Sequence, residues 1–220
     1  MEQGRPRPEL IIFDCDGVLV DSELLSCRCL SEVLAEFDIA LSQQQALELF
    51  LGRSTKAIEQ HYRGLGQIVP ESFLPRLKSQ VLSTFAACLQ PIPDIAGVIS
   101  DLSVPFCVAS SSDFDRVALA LDVTGLRAHF GERIYTAQMV RHGKPAPDLF
   151  LLAAEKMGVQ PARTLVIEDS VSGVAAGKAA GMTVWGFVGG SHYRGRDGQA
   201  ILSGAGADRV FARMSDFWEA

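Results

Sequence analysis

The chain has 220 residues, 48% of them hydrophobic, and a formal net charge of −6. This composition supplies a substantial core and excludes general disorder, and the acidic balance excludes nucleic acid or an anionic membrane as a main partner, because phosphate-rich surfaces demand basic protein. The polar start MEQGRPRPE, the lack of any apolar run near the ~18 residues of a membrane span and five cysteines in apolar or helical patterns lead us to expect a cytoplasmic protein with reduced, packing cysteines.

Residues 9–15 are short, apolar and flanked by Pro and Gly, which predicts a buried strand. Residues 21–91 follow with helical periodicity throughout and no convincing strand; SQQQ at 42–45 has the form of a capping box. The pattern then changes. Strands are expected at 104–110, 163–169 and 183–189, and between them lie helices opening at Asp113, Pro147 and Ser170. Ser110 is a second candidate cap. Gly125 and Gly158 close two of these helices. Strands alternating with helices imply parallel pairing. The expected fold is therefore α/β, a doubly wound parallel sheet formed by residues 1–20 and 92–220, with an all-helical insertion at 21–91.

The first strand runs into Asp14 and Asp16, and the strand at 163–169 ends in Glu168 and Asp169. In open parallel sheets, ligands bind outside the carboxyl ends of the strands. Residues i and i+2 of an extended chain share a face, so both acids of the first pair can point into one cavity. Either pair alone reads as a turn or a helix cap. Together they place up to four carboxylates in one volume, a costly cluster unless a divalent cation neutralises it. Hard oxygen donors with no His or Cys among them select Mg²⁺ over zinc. Ser110 and Ser111, at the end of the second core strand, offer hydroxyl and N–H groups to an anionic oxygen. Lys144, just before a Pro-stiffened helix start, can neutralise a phosphate and an aspartate together.

The ordered motifs D-x-D-G-V (14–18), Ser110 after an apolar strand, K-P-x-P-D (144–148) and E-D-S (168–170) resemble the haloacid dehalogenase-like superfamily over nearly the whole chain. The helical insertion resembles the small cap of its phosphoglucomutase and phosphatase branch, and within that branch the chain is most similar to sugar phosphatases of the 6-phosphogluconate phosphatase kind. The resemblance implies that Asp14 is the nucleophile, forming an aspartyl-phosphate, and that Asp16 is the proton shuttle. It implies Mg²⁺ held by Asp14, the main-chain carbonyl of Asp16, Asp169 and Glu168, with Ser110 and Lys144 on the phosphoryl oxygens.

Asp16 argues against a dehalogenase, which lacks the second aspartate of the first motif. A β-phosphoglucomutase-like mutase is the alternative, although mutases of that type carry a His where this chain has Ser26. A phosphonoacetaldehyde hydrolase would need a Schiff-base lysine among Lys56 and Lys78, and a catalytically silent binder would usually have lost one of the motif residues. The expected function is thus a Mg²⁺-dependent, monomeric phosphatase acting on small phosphate esters, either sugar phosphates or phosphorylated sugar acids. Arg53 is the candidate for binding a second anionic group of the substrate. The loop at 189–198 is expected to be a mobile surface loop at the site's edge. Phe37, Phe50 and Phe85 are expected in the core of the helical insertion.

Overall fold

The computed structural model describes residues 7–51 and 55–218. In chain order it contains β1 (Leu10–Phe13), α1 (Glu23–Ala35), α2 (Gln43–Phe50), α3 (Thr55–Gly64), α4 (Phe73–Cys88) and α5 (Ile95–Ser100), then β2 (Phe106–Ser110), α6 (Phe114–Val123), α7 (Arg127–Phe130) and β3 (Ile134–Thr136). It continues with α8 (Asp148–Lys156), β4 (Thr164–Glu168), α9 (Val171–Ala179), β5 (Thr183–Phe187), α10 (Gly198–Gly204) and β6 (Arg209–Phe211).

The six strands form one parallel sheet in the order β3-β2-β1-β4-β5-β6. Successive strands run outward from β1 on one side and then resume at β4 on the other. The gap beside β1 is therefore the topological switch point, where such sheets bind ligands. Side chains alternate across β1 as the pleat requires. Leu10 and Ile12 join the core beneath α8, α9 and α10, whereas Ile11 and Phe13 join the core beneath α5, α6 and α7. Helices on both faces explain why these strands read as continuous apolar runs.

The four expected strands are present, shortened by a residue or more at their ends. The three-residue edge strands β3 and β6 were not expected. Edge strands bury less, and IYT and RVF carry no apolar run from which to read them. Between residues 23 and 88 lie helices alone among the described residues. Ser42 and Gln45 form the capping box reciprocally, Phe50 and Phe85 are buried and Phe37 is partly buried. The two chain crossings into this helical segment run side by side: Asp21 N–H donates to the Gln90 carbonyl at 3.0 Å and Ile92 N–H to that of Leu19 at 2.9 Å. Cys15, Cys27, Cys29 and Cys107 are buried and free, and Cys88 is exposed and free.

Two expectations are corrected. Ser110 does not cap α6; Asp113 occupies that position, and Ser110 Oγ instead accepts from Ser112 N–H at 3.0 Å. The 189–198 loop is not a free surface segment either. His192 and Tyr193 are buried, and Ser191 N–H and Oγ both donate to Asp21 Oδ1, at 2.9 and 2.8 Å. No helix among the described residues is long and apolar enough to cross a membrane.

Candidate active site

β1 ends at Phe13, and the Asp14 N–H continues its ladder by donating to the Ile167 carbonyl at 2.9 Å. Asp14 therefore projects from the carboxyl edge at the switch point, next to Glu168 and Asp169 at the end of β4. Carboxylate oxygens of these three buried residues lie within 4.8 Å of one another. Lys144 Nζ, itself buried, donates to Asp14 Oδ1 at 2.6 Å, Glu168 Oε1 at 2.6 Å and the Ala109 carbonyl at 3.0 Å, which uses all three of its donors. Ser170 donates its N–H and its hydroxyl to Glu168 Oε2, both at 2.9 Å, and its Oγ accepts from Gly173 N–H as the cap of α9.

Burial pushes the Asp14 pKa well above the usual carboxylate range. Lys144 pulls it back, while Glu168, Asp169 and Asp16 add to the rise. Asp169 is raised in the same way by burial and by Glu168. Burial works against the Lys144 charge, yet Asp14 and Glu168 outweigh it and hold its pKa above normal. The cluster carries more negative charge than one lysine offsets. Asp169 Oδ2 is buried with no hydrogen-bond partner among the described residues. An all-oxygen donor set with surplus negative charge fits a divalent cation.

Asp16 behaves differently. The expected fourth carboxylate lies outside the cluster of three, because its oxygens are occupied elsewhere: Ser22 Oγ donates at 2.5 Å, Ser112 Oγ at 2.6 Å and Arg116 Nη2 at 2.7 Å. The chain turns at Gly17, whose φ is +77°, and the Asp16 carboxylate is held at the starts of α1 and α6 while lining the same cavity as Asp14. Burial raises the Asp16 pKa, but the Arg116 charge and these hydrogen bonds outweigh it, leaving the carboxyl below its usual range.

Arg116 escapes sequence reading because a charge in the first turn of an amphipathic helix usually points to solvent. Here its guanidinium lies over the Phe85 ring at 5.0 Å and also donates to Ser26 Oγ at 2.9 Å. Glu23, the first residue of α1, was missed for the same reason. It is 7% exposed, and burial together with the Asp16 and Asp169 charges raises its pKa to about 8. His192 and Tyr193 complete the site from the opposite side. His192 Nε2 lies 3.1 Å from Asp169 Oδ2, and Tyr193 OH donates to the Asp169 carbonyl at 2.5 Å. Burial lowers the His192 pKa despite Glu23 and Asp21, which favours the neutral ring.

Asp14, Asp16, Glu23, Arg116, Lys144 and Glu168 line a cavity of about 460 Å³. Its floor is made by the strand ends, with Ser110, Ser111 and Ser112 at one side. Its roof comes from the helical segment and is mostly apolar, through Leu30, Phe50, Ile58, Leu74 and Val81. Lys78 also lines it, but is partly exposed and donates to Asp115 Oδ2 at 2.7 Å; that bond keeps its pKa above normal, the opposite of what a Schiff-base lysine needs. Arg53 lies outside the described residues.

The sequence profile of the haloacid dehalogenase-like hydrolases matches residues 8–181, and the chain belongs to that family. A fructose-1-phosphate phosphatase of Escherichia coli is 34% identical over 175 residues, covering 78% of this chain and 92% of the relative. A 6-phosphogluconate phosphatase of the same organism is 27% identical over 191 residues, covering 84% and 85%. Among solved structures, a haloacid dehalogenase family hydrolase from Deinococcus radiodurans with bound phosphate and sodium is 35% identical, with a TM-score of 0.75 and coverage of 97% and 94%. A provisionally named β-phosphoglucomutase from Bacteroides vulgatus is 27% identical, with a TM-score of 0.77 and coverage of 97% and 88%.

Proposed function

We propose that this hydrolase is a Mg²⁺-dependent phosphatase of small phosphorylated metabolites, sugar phosphates or phosphorylated sugar acids, working through an aspartyl-phosphate on Asp14. The observation that carries the reading is the buried Asp14 carboxylate, fixed by Lys144 beside Glu168 and Asp169 at the floor of a roofed cavity. Asp14, Glu168, Asp169 and the Asp16 main-chain carbonyl would hold the ion. Its chemistry there is to offset the negative charge of the phosphoryl oxygens and of the carboxylates.

Asp14 attacks phosphorus; the new O–P bond forms as the ester P–O bond breaks, and Asp16 delivers a proton to the departing oxygen. A water then attacks the same phosphorus, gives a proton to Asp16, and releases phosphate and free Asp14. Ser110, Ser111 and Lys144 hold the phosphoryl oxygens. Lys144 must exchange one of its three resting bonds to do so. Asp16 at rest is paired with Arg116 and so poised as a base; to act as the acid, it must first release Arg116 and take up a proton from solvent, which it then passes to the ester oxygen. Residues 21–91 act as a cap that keeps bulk water from the acyl-phosphate and limits substrates to small ones.

Support for hydrolysis over the mutase reading comes from Ser26. Its hydroxyl donates to the Ser22 carbonyl at 2.8 Å and accepts from Arg116, and a serine offers no acid or base near neutral pH. The test is phosphate release from hexose phosphates and 6-phosphogluconate with Mg²⁺ or with chelator, with β-glucose 1-phosphate scored separately for conversion to the 6-phosphate. Metal-dependent release supports the proposal. Isomerisation without release would replace it with a mutase.

A further inference from the structure

We propose that His192 and Tyr193, on the loop after β5, are positioning residues that fix Asp169 for metal binding, with His192 Nε2 as the donor to Asp169 Oδ2. The inference rests on the reading of Asp169 as a ligand of the metal.

The loop has been built into the site. His192 is 2% exposed, and its ring occupies room left by two glycines. A Cβ on Gly190 would stand 2.6 Å from His192 Cε1, and one on Gly17 would stand 3.0 Å from the same atom. The Gly17 Cβ would also fall 1.8 Å from Asp169 Oδ2. Ring, carboxylate and the turn after Asp16 therefore pack as one unit. The Tyr193 ring lies against the imidazole at 4.4 Å, and its hydroxyl fixes the Asp169 backbone. Ser191 ties the loop to Asp21.

At its centre is an unsatisfied pair. Neither ring nitrogen of His192 has a hydrogen-bond partner among the described residues, and neither has Asp169 Oδ2. Yet Nε2 and Oδ2 are 3.1 Å apart, a hydrogen-bond distance that lacks only alignment. Buried polar atoms left unpaired are costly, so two of them facing each other mark an interaction that forms when the site is loaded. A donor on one carboxylate oxygen orients the group and leaves its other oxygen to the cation, the arrangement by which outer partners tune metal ligands. A ring held only as filler would need no nitrogen there.

The experiment is calorimetric titration of Mg²⁺ into the full chain and its His192→Gln, His192→Asn, Tyr193→Phe and Asp169→Asn variants, with Tm measured in chelator. Gln can present its amide near Nε2, whereas Asn mimics Nδ1. We expect His192→Gln to bind within about threefold of wild type and His192→Asn to bind ~10–100-fold more weakly. Tyr193→Phe should weaken binding as well, and Asp169→Asn should abolish it. Wild-type affinity in His192→Asn, even with a lowered Tm, would make the residue structural and overturn the proposal. Equal weakening in His192→Gln would refute Nε2 as the donor. Wild-type affinity in Asp169→Asn would instead overturn the metal reading on which the proposal rests.

Discussion

Lys144→Met separates the charge of the central lysine from its bulk. The side chain is 1% exposed and bonds Asp14, Glu168 and the Ala109 carbonyl, and methionine fills much of the same space against the Phe150 ring. Removing one partner of a buried ion pair costs about 3–5 kcal/mol, because the other charge stays buried without compensation. The protein can limit this loss by taking up a proton. Asp14 already sits above its usual range through burial, and losing Lys144 raises it further. A carboxyl whose folded pKa is raised contributes most below its unfolded value, and stability falls as pH climbs toward the folded one, at about 1.4 kcal/mol per pH unit. The deficit of the variant should therefore be smallest near pH 5 and should approach the full penalty near pH 8.5. Urea unfolding in chelator at three pH values measures it. A variant within about 1 kcal/mol of wild type at pH 8.5, or a deficit that shrinks with rising pH, would refute the argument that Lys144 neutralises the cluster.

Glu23→Gln should do the reverse. Its pKa of about 8 lies above the unfolded value, so Glu23 weakens the fold progressively as pH rises toward 8; in chelator the variant should be more stable than wild type by up to a few kcal/mol at pH 8.5 and indistinguishable at pH 4.5, read from urea melts. Arg116→Met removes the charge that holds Asp16 below its usual range, so the limb of the kcat/KM pH profile that reports Asp16 should move to higher pH; a profile with both limbs unmoved would show that Arg116 does not set the Asp16 proton. Gly173→Ala places a Cβ 1.8 Å from Glu168 Oε1. That collision should displace the carboxylate from Lys144 and Ser170 and cost about 1–3 kcal/mol in urea unfolding, with a parallel loss of kcat/KM.

The strands that pass through the core were legible because burial on both faces makes them short apolar runs, and the acid pairs at their ends stood out against that background. Lys144 and Ser110 were legible only in combination with those acids. The i,i+2 spacing placed Asp14 and Asp16 on one cavity, as found, but the sequence did not reveal that Ser22, Ser112 and Arg116 occupy the Asp16 oxygens. Arg116 and Glu23 look like ordinary helix-surface charges until α1 and α6 are brought together over Asp16. His192 and Tyr193 lie in GGSHYRGRDG, whose glycines suggest an exposed loop. In the folded protein Gly190 and Gly198 are tight approaches instead, each with Cβ room taken by a His192 or Tyr193 ring.

In the proposed reaction the phosphoryl group passes through Asp14. Stopping steady turnover with borohydride reduces an acyl-phosphate to the alcohol, and peptide mass analysis then locates the change. We expect homoserine at position 14, formed only with substrate and Mg²⁺ present and absent from Asp14→Asn, which should release no phosphate while keeping the wild-type fold. Reduction at another carboxylate, or an Asp14→Asn protein that still turns over, would contradict it.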